Sequence, residues 1–243
     1  MYQFFVEPEQ IREKEVVITG SDVNHIKNVL RMRTGEKVRI SDNAGRDLYC
    51  EIENIEQEQI FFTILKEAEG TEPTLKVTLF QGLPKGDKME LVIQKAVELG
   101  VSEIIPVAMK NCVVKLDGKR SVAKQARWQA IAESAAKQSK RSMIPSVGMP
   151  MSFVQAVEYA KALDWRILPY ENQRGMAHTR EVFASIPKGS SVGIFIGPEG
   201  GYDSAEIAFV KEDMELVSLG NRILRTETAG LCALSMLMYA VED

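Results

Sequence analysis

The chain has 243 residues, 45% of them apolar and 26% charged, with a net charge of −4; that is ample apolar content for one large core or two smaller ones, and the charge total does not advertise a nucleic-acid binder. Three widely spaced cysteines (Cys50, Cys112, Cys232), no Cys-x-x-Cys and two histidines argue against a disulfide framework or a zinc site and fit a reducing cytoplasm. The N-terminal MYQFFVEPEQ carries no visible secretory signal, and LCALSMLMYAV (231–241) is too short to span a bilayer, so no membrane association is expected.

The first seventy residues read as mostly β, with strand candidates FFV, EVVIT, EKVRISD, LYCEIENIE and QIFFTILKE and a turn at Asn43-Ala44-Gly45. One helix interrupts them: Ser21 or Asp22 caps a segment with Val23, Ile26, Val29 and Leu30 on one side. A small barrel carrying one helix is the expectation, and the polar EAEGTEP (67–73) makes the linker.

From residue 75 strands alternate with helices. LKVTLFQGL is a strand, and KMELVIQKAVELG is a helix with Met89, Val92, Ile93, Ala96 and Val97 on one stripe and Gly100 as its stop. EIIPVAM is a strand whose proline keeps part of it out of a regular ladder. A long helix over 123–141 has Trp128, Ile131, Ala132, Ala135 and Ala136 on one face and Lys137, Lys140 and Arg141 together on another. There follow a helix at 152–163, the strands WRILPYE and SVGIFIG, a short helix from 204, the strand ELVSLG and a closing helix at 227–241. This alternation predicts an α/β domain with a largely parallel sheet. The closing helix is apolar nearly all round, which suits either a central core helix or a homodimer interface.

Two loops carry possible chemistry. IGPEGG (196–201) leaves the carboxyl end of a strand, where α/β sheets bind ligands, but it is neither GxGxxG nor a P-loop. The missing GxGxxG argues against an NAD-type oxidoreductase. Gly200 and Gly201 allow close backbone approach, Pro198 stiffens the loop, and Asp203 with Glu206 forms a capping box. A plain strand-to-helix turn explains the same residues. In LGNRILRTETAG (219–230), Thr226 caps the last helix and Glu227 suits its dipole, while the apolar loop residues Ile223 and Leu224 suit a flat ligand such as an adenine. Basic residues concentrate in two segments, 23–41 and 119–141, which read either as solvated faces or as phosphate contacts.

GLPKGDKMELVIQKAVELGV, RWQAIAESAAKQSKR followed by IP, IGPEGG and LGNRILRTETA, with HIKNVLRMRTGE nearer the N-terminus, closely resemble bacterial small-subunit ribosomal RNA (uracil-N3)-methyltransferases of the SPOUT class. The resemblance covers essentially the whole chain. It implies a PUA-like β-barrel RNA-binding domain at 1–70 and an α/β, SPOUT-type methyltransferase domain at 73–243 with a C-terminal trefoil knot, in a cytoplasmic homodimer. Connectivity rules alone predict an unknotted sheet, so the knot comes from the resemblance. The implied cofactor is S-adenosylmethionine, leaving as S-adenosylhomocysteine, with no metal; the implied partner is 16S rRNA in the small ribosomal subunit.

Carried over by residue, the cofactor contacts are Leu168, Tyr170 and Glu171; Ile196, Gly197, Pro198, Glu199, Gly200 and Gly201; and Leu219, Ile223, Leu224, Arg225, Thr226, Thr228 and Ala229. Arg225 is the candidate for stabilising the uracil anion, and Glu199 or Glu227 for accepting the N3 proton, unless either carboxylate is only a structural cap. RNA phosphates would be met by His25, Lys27, Arg31 and Arg33 and by Lys85, Lys88, Lys137, Lys140 and Arg141. Tyr2 and Gln3 stand where relatives often carry arginines, so RNA contact there is not expected. Two other readings are a SPOUT ribose 2′-O-methyltransferase and a ribosome-assembly RNA-binding protein with a vestigial cofactor pocket.

Overall fold

The computed structural model describes residues 1–114 and 118–241 and divides into two compact units. The first comprises Met1–Glu72 with Ala136–Ile144; the second comprises Pro73–Ala135 with the chain from Pro145 onward. Residues 136–144, expected inside a contiguous 73–243 domain, therefore belong to the first unit.

The reason is a set of buried polar contacts. Asp47, fully buried, accepts hydrogen bonds from Arg39, Ser41 and Ser142. Glu72 pairs with Arg141 and accepts from the backbone N–H of Ser142 at 2.8 Å, while Gln3 Nε2 donates to the Arg141 carbonyl at 2.6 Å. A buried carboxylate must be paired, so these partners draw the segment in.

In the first unit β1 (Gln3–Phe5), β2 (Glu15–Thr19), β3 (Lys37–Ser41), β4 (Asp47–Ile55) and β5 (Gln59–Glu67) form a sheet in the order β1-β3-β4-β5-β2. It curls as a half-barrel around Val16, Ile18, Val38, Ile40, Leu48, Ile52, Ile60 and Phe62, the inward residues of alternating strands. The β3–β4 turn forms because Asp42 Oδ1 accepts from the N–H groups of Ala44 and Arg46, with Asn43 and Gly45 at positive φ. The helical segment starts as α1 (Ser21–Asn24) and widens into a π-turn over His25–Val29. Val23 and Ile26 are buried as their spacing predicts, but the wider turn carries Val29 out to solvent, contrary to a uniform 3.6-residue stripe.

The second unit is a parallel sheet of β6 (Lys76–Gly82), β7 (Glu103–Ala108), β8 (Ser146–Val147), β9 (Met151–Ser152), β10 (Trp165–Pro169), β11 (Ser191–Ile196) and β12 (Glu215–Val217). The order is β12-β10-β11-β6-β7-β8, with β9 also on β7. Pro106 sits where β8 and β9 leave β7 unpaired on one side, so the missing N–H costs no ladder bond. The helices are α2 (Lys88–Glu98), α3 (Gly118–Ser139), α4 (Phe153–Ala160), α5 (Ala177–Ser185), α6 (Ser204–Val210) and α7 (Thr226–Val241). The α2 stripe is buried as expected, and α2 packs against α7.

Two expectations change. Helix α5 is absent from the sequence reading because only Thr179, Val182 and Phe183 of its nine residues are buried and no side chain caps it. Helix α3 stops at Ser139, and Lys140 takes a left-handed φ of 63°, so Lys137, Lys140 and Arg141 do not share a helical face.

Phe195 of β11 is fully buried, stacked on Phe80 with ring centroids 4.2 Å apart and edge-on to Phe153. Phe195→Ala should destabilise the second unit by about 3–5 kcal/mol, read as a lower urea midpoint.

Candidate active site

The strands β12, β10 and β11 are neighbours, so the loops leaving their carboxyl ends meet at one end of the sheet. Between these loops lies a cavity of about 360 Å³. Pro169, Tyr170, Glu171, Gln173 and Arg174 line it from the β10 loop; Ile196 to Glu199, Gly201 and Tyr202 from the β11 loop; and the run from Ser218 to Thr226, with Ala229, from the β12 loop and α7.

Each loop is fixed by bonds from elsewhere in the unit. Gly201 N–H donates to the Pro198 carbonyl at 2.9 Å, closing a turn with Gly201 at φ 66°. Gly200 packs so closely on Asn111 that a Cβ there would stand 2.9 Å from the Asn111 Cβ, and Asn111 Nδ2 donates to the carbonyls of Gly200 and Gly201. Thr226, buried, donates its hydroxyl to the Gly197 carbonyl at 2.6 Å and accepts from Gln81 Nε2 at 2.9 Å. Its side chain therefore joins α7 to two strand ends and does not cap α7; the Arg225 carbonyl accepts the N–H groups of Thr228 and Ala229 instead. Thr179 of α5 exchanges hydrogen bonds with both backbone groups of Ser218, anchoring the third loop.

Charge is organised around Lys88. Its Nζ lies 3.0 Å from Glu199 Oε1 and 3.1 Å from Glu227 Oε2, and the Lys85 N–H donates to Glu199 at 3.1 Å. Burial acts to raise the Glu199 carboxyl, but the Lys88 ammonium and the Lys85 N–H outweigh it and hold the group below the usual carboxylate range. Burial likewise opposes the shift at Glu227, where its own backbone N–H, Lys88 and the nearby Arg225 bring the group down. The hydrogen bond to Glu199 and the ion pair with Glu227 raise Lys88. The trio is an ammonium between two carboxylates through the neutral range.

Most of the residues expected at a cofactor do line this cavity, with three exceptions. Leu168 is fully buried in the core below, Gly200 faces Asn111, and Thr228 lies outside the lining. Ile223, expected in an apolar wall, stands at the mouth and is 85% exposed. Among the expected RNA contacts, His25, Arg31, Arg33 and Lys85 are exposed and Lys137 is half-buried. Arg141 is a correction: it is buried, and its guanidinium pairs with Glu72, so no phosphate reaches it. Lys140 Nζ donates to the Met1 carbonyl at 2.9 Å, and burial, with help from Arg39, lowers its pKa. Lys27 Nζ donates to the Glu56 carbonyl at 2.7 Å, and Lys88 is held by its two carboxylates.

Sequence reasoning missed Gln173, Arg174, Tyr202, Ser218, Asn221 and Arg222 as cavity residues. Tyr202 and Ser218 flank IGPEGG and LGNRILR, and Asn221 and Arg222 lie inside the second motif, which was the available signal for these four. The buried Tyr202 hydroxyl has no hydrogen-bond partner among the described residues, and burial raises its pKa well above the ordinary value. No group of three or more His, Cys, Asp or Glu suited to a metal occurs among the described residues.

Comparison with known proteins matches two domain models. An RNA methyltransferase domain model matches residues 71–238, and an RNA methyltransferase PUA domain model matches residues 18–65. The ribosomal RNA small subunit methyltransferase E of Bacillus subtilis is 38% identical over 250 aligned positions, covering 100% of this chain and 98% of that protein. A crystal structure of the same-named enzyme from Neisseria gonorrhoeae bound to S-adenosyl methionine superposes with a TM-score of 0.84 at 31% identity, covering 98% of this chain and 97% of the other. A Legionella pneumophila protein solved in complex with the bound cofactor SAM gives 0.83 at 31% identity with the same coverage.

The Thr226 hydroxyl makes a prediction possible. Thr226→Val keeps the shape but leaves the Gly197 carbonyl without its hydroxyl donor and the Gln81 Nε2 with only the Gly82 carbonyl, so it should cost about 1–3 kcal/mol in a denaturant titration.

Proposed function

This chain belongs to the RNA methyltransferase family, in the SPOUT class, and from that premise we propose that it methylates N3 of a uridine in 16S rRNA of the small ribosomal subunit, using S-adenosylmethionine. The observation that carries the reading is the cavity itself, built from three loops at the carboxyl ends of adjacent parallel strands in a chain 31% identical to an enzyme solved with that cofactor.

The lining suits such a molecule. Ile196, Leu219 and Leu224 offer apolar wall, and the Glu171 carboxylate suits hydroxyl groups. When bound, S-adenosylmethionine supplies a sulfonium methyl, and the new N3–carbon bond forms as the sulfur–carbon bond breaks. The N3 proton lies on the Watson–Crick edge, so the uridine must enter unpaired or flipped from its stack.

Arg225, exposed at the cavity mouth, stabilises the uracil anion as the proton leaves. Glu199 and Glu227 are in the proton-accepting form at neutral pH, but their pairing with Lys88 makes them weak bases. The larger share of the catalytic stabilisation is therefore assigned to Arg225. RNA phosphates are met by His25, Arg31 and Arg33 of the first unit and by Lys85 of the second, all exposed.

The same reading extends to a knotted carboxyl-terminal region, a cytoplasmic site of action and a homodimer. The dimer would cover the outer face of α7, where Tyr239 is 90% exposed and Leu231, Cys232 and Met236 are only half-buried. No helix among the described residues is long and apolar enough to cross a membrane.

Arg225→Ala should lower methylation of small-subunit RNA by about 10²–10³-fold while S-adenosylmethionine binding stays measurable by calorimetry. Mass spectrometry of the digested product RNA should show base-methylated uridine. Near-normal turnover in the variant would remove Arg225 from the mechanism, and a ribose-methylated nucleoside would replace the N3 assignment.

A further inference from the structure

We propose that Lys88 is a positioning residue, whose ammonium, shared between Glu199 and Glu227, clamps the loop after β11 to the start of α7 and so shapes the cofactor cavity before anything binds. The inference rests on the use of that cavity for S-adenosylmethionine. Lys88 opens α2, Glu199 lies in the loop leaving β11, and Glu227 lies in the first turn of α7. Three segments far apart in sequence thus meet at one nitrogen, within 3.1 Å of each carboxylate. The trio is only partly exposed, with side-chain exposures of 31% for Lys88, 27% for Glu199 and 15% for Glu227, so it is less screened than a surface pair.

Without Lys88 the balance of charge changes. Glu199 would keep the Lys85 N–H, and Glu227 would keep its own backbone N–H and the field of Arg225, but the two carboxylates would face each other with no cation between them. Like charges at close range push the loop and α7 apart unless one carboxylate takes a proton. The clamp also explains why the first turn of α2 carries a lysine at a helix N-terminus, where the helix dipole disfavours it. A free phosphate-anchoring lysine would not meet two carboxylates.

The test is calorimetric titration of the full chain with S-adenosylmethionine between pH 6 and 8, always as the ratio of variant to wild-type affinity. Lys88→Met should weaken binding about three- to tenfold at pH 8, and the deficit should shrink as pH falls, because a proton shared by the freed carboxylates relieves their repulsion. Lys88→Arg keeps a cation and should hold the ratio near one. Adding Glu199→Gln to Lys88→Met should remove the pH dependence. Glu199→Gln alone leaves Lys88 one charged partner and should also weaken binding, so the clamp is testable even if Lys88→Met does not fold, as thermal melts would reveal. Wild-type affinity in Lys88→Met, or an equal deficit at every pH that Glu199→Gln does not alter, overturns the proposal. Absence of binding heat from the wild-type chain overturns the methyl-donor reading itself.

Discussion

The hydrogen bond from the Thr226 hydroxyl to the Gly197 carbonyl is the contact on which the cavity depends. Thr226 also accepts from Gln81, so one buried hydroxyl ties the first residue of α7 to the ends of β6 and β11. Buried polar groups must find partners, and here the partners lie on three different elements. The strand order makes this possible. With β6 beside β11, Gly82 runs against the loop so tightly that a Cβ would stand 2.7 Å from the Pro198 nitrogen. Only glycine permits that approach, and the loop is held against backbone, not against movable side chains.

Electrostatics then divide the basic residues into two sets. His25, Arg31 and Arg33 stand exposed on or after the π-turn, open to solvent. Lys88, Lys140 and Arg141 are engaged by this chain's own carboxylates or carbonyls. A count of positive charges in a segment does not distinguish the sets, because a carboxylate distant in sequence, Glu72 for Arg141 or Glu227 for Lys88, is as effective as one nearby.

The first unit makes the same point in its core. Asp47 is fully buried with Arg39, Ser41 and Ser142 as partners, and Ser142 is 95 residues away. That network is why residues after α3 return to a unit otherwise closed by Glu72. Its cost is a set of desolvated charges that must all stay satisfied; its return is a unique seat for the segment.

Local rules made the elements legible. The stripe from Met89 to Val97, the alternation through β3, β4 and β5, the Asp203–Glu206 capping box and the Pro106 interruption follow from spacing and backbone chemistry, and all appear in the structure. The two loops that form most of the cavity were legible as motifs for the same reason. The tertiary structure alone decided that Thr226 bonds across to Gly197, that α5 holds the third loop through Thr179, that α3 ends before Lys140, and that Lys88 lies between Glu199 and Glu227. Periodicity and capping act over a few residues and are written in neighbouring positions, whereas a buried polar group is satisfied by whatever the completed fold brings to it.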